Sequence, residues 1–268
     1  MRTLRRAAPL LLIACLTALP AAAKSISINM SVTPEMRAGA LAVKVKVSNT
    51  GDEAASSVTP VLRMGDKEVR GTRRETLGPN ESLEDTLELA TGELGPGRWP
   101  FRVAVDYTDA NQYPFQALHV ALLTVGNPAP ARIALPEVKI PPLADSVDMT
   151  ARVKNLSGTA RKVKVTAFVP EGLEVTQAAP EIDVDPWAEK TVSIDLTNRT
   201  ALAGSRYPLF AAAEYDDEGT HYAVVGNNVV EINAAKPVVA PTLRIIGGVL
   251  VVGWLILIGW RLASRRTA

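Results

Sequence analysis

Hydrophobic and polar residues alternate in short runs along most of this chain. Leu41, Val43, Val45 and Val47 are interleaved with Ala42, Lys44 and Lys46, and Val147, Met149, Ala151 and Val153 with Asp148, Thr150, Arg152 and Lys154. A period of two puts successive side chains on opposite faces, so each run predicts a strand with one face buried and one wetted. Residues 163–169 and 192–196 repeat the pattern. Turn signals separate the runs: Asn49-Thr50-Gly51, Gly78-Pro79-Asn80, Pro170-Glu171-Gly172 and Asp216-Asp217-Glu218-Gly219. No capped helical period of useful length occurs between the two ends of the chain. The expected class is all-β.

The strand pattern occurs twice. Val47-Ser48-Asn49-Thr50-Gly51 is matched by Val153-Lys154-Asn155-Leu156-Ser157-Gly158 at an offset of 106, and Pro79 of Leu77-Gly78-Pro79-Asn80 by Pro186 of Val184-Asp185-Pro186-Trp187 at 107. Gly97-Arg98-Trp99-Pro100 is matched by Ser205-Arg206-Tyr207-Pro208 at 108, and each leads into an acidic-Tyr pair, Asp106-Tyr107 and Glu214-Tyr215. Matches in order at slowly drifting offsets mark two copies of one unit. In each, the acidic-Tyr strand should turn back as the last hairpin, through 108–112 into 113–125 and through 216–219 into 220–232. Pro100 and Pro208 are expected to open their strands, where a missing N–H does least harm.

Short antiparallel strands in units of about 100 residues suggest sandwiches of immunoglobulin type. The Asn49-Thr50-Gly51 turn, the Gly97-Arg98-Trp99 strand entry and the Tyr107-Thr108-Asp109 hairpin resemble bacterial immunoglobulin-like envelope repeats, the cell-adhesion-related and NEW3-type domains. The resemblance covers most of residues 26–232 and implies a sandwich architecture in an envelope setting. Members are appended to enzymes, adhesins and membrane complexes alike, so it carries over no catalytic residue.

The ends suggest an address. Arg2, Arg5 and Arg6, an apolar stretch and Ala21-Ala22-Ala23 read as a secretory leader cut after Ala23. The rival reading is a lipoprotein box at Leu12-Ile13-Ala14-Cys15, which would lipidate Cys15. Ile245 to Trp260 holds no charged residue and lies between Arg244 and Arg261. These 16 residues, with snorkelling arginines at both ends, are expected to cross a membrane as one helix. Trp254 falls mid-span and Trp260 at an interface, and Arg261, Arg265 and Arg266 belong on the cytoplasmic side. Proteolytic processing of this segment is the alternative to a permanent anchor. The expected plan is then a leader at 1–23, a first sandwich at 24–126 and a proline-rich linker at 127–142. A second sandwich follows at 143–233, its first strand starting as early as 131. A stalk at 234–243, a span at 244–262 and a basic tail at 263–268 complete it. The two sandwiches are expected in series.

The chain has 268 residues and a formal net charge of +1. Removing the leader's three arginines and the anchor's four from 29 basic residues leaves 22 against 28 acidic ones, so residues 24–243 carry −6. An acidic exterior argues against nucleic acid as a partner. One Cys and 2 His leave little for a metal centre, a disulfide framework or a nucleophile–His pair, and no phosphate-binding or dinucleotide motif occurs. No cofactor, metal or catalytic residue is expected. His119 and His221 sit in the two final strands, with the solvated-face reading favoured. Asp183 with Asp185, and Asp216, Asp217 and Glu218, are the candidates for calcium, against ordinary turn chemistry. Asn29, Asn80, Asn155 and Asn198 stand in Asn-x-Ser/Thr sequences and are read as turn and strand residues. The expected function is non-enzymatic: a membrane-anchored envelope protein whose outward domains bind or scaffold another envelope protein, as an accessory subunit of a transport or polymer-assembly complex. The alternative is a glycan-binding or adhesive module using Trp99, Tyr113, Trp187, Tyr207 or Tyr222.

Overall fold

A computed structural model describes residues 25–233 apart from 38 and 178, and among these residues sixteen strands form four layers. The expected leader with Cys15 and Ala23, the expected stalk, and the expected span with Ile245, Trp254, Trp260, Arg261, Arg265 and Arg266 lie outside the described residues. Among the described residues there is no helix, and so none long and apolar enough to cross a membrane.

The first layer is β1 (Ile28–Arg37), β2 (Ala40–Asn49) and β6 (Ser82–Ala90), antiparallel with β2 in the centre. The second is β3 (Ala55–Met64), β7 (Gly97–Thr108) and β8 (Pro114–Val125), with short β4 (Lys67–Arg70) and β5 (Arg74–Leu77) along the outer edge of β3. Leu41, Val43, Val45 and Val47 meet Leu62, Phe101, Val103 and Val105 between these layers. The second half repeats the scheme. The fourth layer, β12 (Leu173–Val175), β14 (Glu189–Asn198), β10 (Ser146–Asn155) and β9 (Ile133–Lys139), packs on the third. That third layer is β13 (Glu181–Val184), β11 (Arg161–Phe168), β15 (Arg206–Asp217) and β16 (Thr220–Glu231). β9 lies inside the stretch expected to be a linker: Ile133 and Val138 are buried, and the alternation there suffices for a strand despite the prolines around it.

The matched asparagines occupy matched sites. Asn49 and Asn155 are both 0% exposed and are the buried polar residues of the described region. Asn49 Nδ2 donates to Glu53 O at 2.7 Å and Leu77 O at 3.1 Å, while Asn155 Nδ2 donates to Thr159 O at 2.8 Å and Val184 O at 3.1 Å. Each amide ties the turn after one strand to a neighbouring connection by donating to its carbonyls.

Two expectations are corrected. Pro100 and Pro208 lie inside β7 and β15, not at their starts. β7 runs beside β3 only from Arg102 onward, and β15 beside β11 only from Phe210, so each proline has a partner strand on one side alone. That is edge geometry, and it tolerates a missing donor. The larger correction concerns the series arrangement. Val61, Ala104, Leu118 and Val120, on the face of the second layer away from its own core, are buried against Phe210, with Phe168 and Val225 packed beside them from the third. The halves therefore lie face against face, four layers deep. His221 of β16 pairs in parallel with Gly97 of β7 and joins the two middle layers into one nine-stranded sheet.

Candidate functional site

The junction is built reciprocally. The hairpin after β15 reaches the connection that precedes β7, where the His221 amide donates to Pro96 O at 3.0 Å. The hairpin after β7 reaches the connection that precedes β15, where the Tyr113 hydroxyl donates to the Thr200 carbonyl. Midway, the Glu171 amide donates to Gln116 Oε1 at 3.0 Å. Gly97 makes the close approach possible. Its φ is +150°, and a Cβ there would fall 2.2 Å from His221 O and 2.8 Å from His221 N.

His221 is the junction's electrostatic centre. Its ring stacks on Trp99 with centroids 4.0 Å apart and planes 14° from parallel. Nδ1 lies 2.8 Å from Asp216 Oδ1, and Nε2 lies 3.4 Å from Glu214 Oε2, near enough for attraction but not aligned as a hydrogen bond. The side chain is 12% exposed. Burial works against its charged form, but Glu214 and Asp216 outweigh it and hold the pKa above the ordinary imidazole value. His119, edge-on to Phe210 with centroids 6.0 Å apart, has burial without a carboxylate, and its pKa is lowered. The two histidines do not hold matching places: His119 pairs with Val103, a position that in the second copy belongs to Gly226 opposite Ala211. The solvated-face reading is corrected for both: the His221 ring is covered by Trp99 of the other half, and His119, half-buried, lies edge-on to Phe210.

Most of the aromatic candidates are engaged with neighbouring rings or buried. Trp99 is stacked on His221, Tyr222 on Tyr215 with centroids 5.0 Å apart, and Tyr113 lies 5.2 Å from Phe115. Tyr207 is buried at 6% exposure. Tyr113 and Tyr207 lie near one another beside the stacked Tyr107 and Phe115, while Trp99, Trp187 and Tyr222 lie apart from them. The acidic candidates do not converge. Asp216 faces His221, Asp217 pairs with Arg161 at 2.6 Å, and Asp183 lies on β13 with Lys162 nearby. Among the described residues no group of three or more His, Cys, Asp or Glu could hold a metal ion. The four sequon asparagines have local roles: Asn29 Nδ2 donates to Thr50 Oγ1 at 2.8 Å, Asn80 takes a positive-φ turn position, Asn155 is buried, and Asn198 Nδ2 reaches Ala144 O and Ala201 O.

Trp187 stands apart. It is 69% exposed, at φ +60°, in the turn between β13 and β14. The matching residue of the first copy is Asn80, at φ +61° in a turn with the same amide-to-carbonyl closure, Glu81 N to Gly78 O there and Ala188 N to Asp185 O here, both at 3.1 Å. Asparagine suits a left-handed position; tryptophan costs about 1 kcal/mol there. The neighbouring turn holds Leu156, 39% exposed, where the first copy has Thr50. Trp187 N bonds Ser157 O at 3.1 Å and ties the two turns together. Trp187 keeps most of its surface in solvent, and Leu156 more than a third of its own.

No family model matches the chain, and no curated protein does. Among solved structures, native alpha-2-macroglobulin of Escherichia coli is 13% identical with a TM-score of 0.30, covering 77% of this chain and 17% of that one. A red sea bream transglutaminase is 12% identical with a TM-score of 0.25, covering 77% and 31%. The YadV chaperone is 12% identical with a TM-score of 0.31, covering 75% of this chain and 99% of its own. This chain thus spans under a third of the first two, and nothing about the site is inferred from these likenesses.

Proposed function

We propose that the chain is a single-pass envelope protein, held by the segment from Ile245 to Trp260, whose two immunoglobulin-like sandwiches form one outward docking body for another envelope protein. In that reading it is an accessory subunit of a transport or polymer-assembly complex and performs no chemistry itself. Trp187 carries the reading. A large aromatic side chain at a strained, exposed turn position, with Leu156 beside it, is a fold cost that an apolar pocket on a partner protein recovers on burial. Trp99 and Tyr222 are stacked internally and Tyr207 is buried, so these rings offer no open face to a sugar.

The test places a photo-crosslinking residue at position 187 and, separately, at position 80 of the full chain in native membranes. One discrete adduct from 187 and none from 80 is the expected result. Trp187→Asn should keep or slightly raise the melting temperature, because it restores the residue type of the first copy, and should release the partner during mild solubilisation. Equal adducts from both turns, or a partner retained by the variant, would contradict the proposal.

A further inference from the structure

On one flank of the junction the two middle layers part and enclose a groove of about 630 Å³. Arg63 and Arg102 project into it from the outward face of the second layer, and Lys164, Thr166 and Phe168 from β11 of the third. It continues past Trp99 to Glu214 and His221, and past the two arginines to Glu171 and Glu174.

The charges lining this groove are not balanced: Arg63, Lys67, Arg102 and Lys164 stand against Asp66 and Glu214, and Lys67 is turned to the Ala90 carbonyl at 2.8 Å. Arg63 is bound by Glu68, which also holds Arg70 at 3.0 Å, and Arg70 reaches Asp106 at 3.1 Å. Glu214 is occupied with His221 and with the Thr166 hydroxyl, 3.4 Å away. The Arg102 guanidinium makes no ion pair or hydrogen bond with any described residue. Its pKa is lowered, first by burial and then by repulsion from Arg63, with Glu68 attracting it only at longer range. Lys164 likewise makes no ion pair with a described residue and acts on Glu181 from a distance. A half-buried guanidinium facing a second arginine is an unfavourable arrangement in the unliganded protein, and a carboxylate bound between Arg102 and Lys164 relieves it with charge-assisted hydrogen bonds. Around the cations lie Met64, Leu89, Leu94 and Phe168, so the walls also accept apolar side chains.

We infer that the junction groove binds an extended acidic segment of a partner polypeptide, its carboxylates on Arg102 and Lys164 and its intervening side chains against the apolar walls. This inference rests on the reading of the partner as a protein. A peptide is favoured over an acidic glycan because the rings lining the groove leave no open face for a sugar: Trp99 is stacked on His221, Phe101 is buried in the first core, and Phe168 packs on the junction cluster. An acidic protein with a locally cationic cleft also keeps polyanions from adhering elsewhere on its surface.

The probe is a ten-residue peptide of alternating glutamate and alanine, titrated calorimetrically into the full chain in neutral nanodiscs. The comparison ligands are the same peptide with lysine for glutamate, an oligogalacturonate of equal charge, and inorganic phosphate. Saturable binding of the acidic peptide is expected, weakened at least about tenfold by Arg102→Met and by Lys164→Met. Lys190→Met, at an exposed lysine on β14, should leave it unchanged, and Arg102→Met should not lower the melting temperature. Absence of peptide binding, equal binding by Arg102→Met, or oligogalacturonate or phosphate binding as tightly as the peptide would each overturn the inference. Failure here with a Trp187-dependent adduct intact removes the groove alone; loss of the adduct removes the protein-partner reading.

Discussion

The indole of Trp99 and the imidazole of His221 lie parallel at 4.0 Å, one contributed by each half of the molecule. This stack couples the junction to pH. His221, facing Glu214, Asp216 and Trp99, has a folded pKa above its ordinary 6.5. Its contribution to stability is therefore complete below about pH 6.5 and fades as pH rises through the raised value. His119 has a folded pKa below 6.5, so its contribution is complete above that pH and fades as pH falls through the lowered value. The two trends oppose each other in the native protein. His221→Gln should leave a protein whose melting temperature falls as pH drops from about 7 to 5, and His119→Gln one whose melting temperature falls as pH rises from about 5 to 8. Identical pH profiles for both variants would show that neither histidine titrates at the junction.

Gly97→Ala tests the close approach of β7 and β16. The added methyl meets His221 backbone atoms that cannot move aside alone, so a loss of about 2 kcal/mol or more is expected. Gly204→Ala, at φ +84° with nothing within 4 Å, should cost only about 1 kcal/mol of backbone strain. Urea titration measures both losses. Hydrogen exchange adds the local readout, since the His221 amide should lose protection in the first variant and keep it in the second.

Asn49→Ala and Asn155→Ala should each cost about 1–3 kcal/mol, since each strands buried carbonyls that water cannot easily reach. The sites lie in different cores, so the double variant should show the sum of the two losses to within about 0.5 kcal/mol. Chemical denaturation of the three variants provides the comparison.

Much of this architecture is written in the alternation of residues such as Leu41 to Val47 and Val147 to Val153, whose single buried faces became the two sandwich cores. The paired Asn49 and Asn155 also carried a legible signal, because a turn asparagine recurring at fixed offset marks a shared structural need. The face-to-face junction was less accessible, although a trace exists. Val103-Ala104-Val105 and Leu209-Phe210-Ala211-Ala212-Ala213 are apolar without a break, the signature of strands buried on both faces. Read as one-sided strands they imply wetted outer faces and two bodies in series. The groove lay beyond reach, because Arg102 and Lys164 become neighbours of one cavity only after the halves dock. Trp187 was visible as an aromatic residue, but its strain and exposure belong to the folded turn.

The central claim is that the two halves form one body, and small-angle X-ray scattering of residues 24–233 tests it most directly. Docked halves predict a pair-distance distribution with a single maximum and a radius of gyration within a few ångströms of the ~17 Å that this chain length gives a compact domain. A second maximum or a long shoulder, with a markedly larger radius, would mean that the halves are strung in series and that neither the junction stack nor its groove exists in solution.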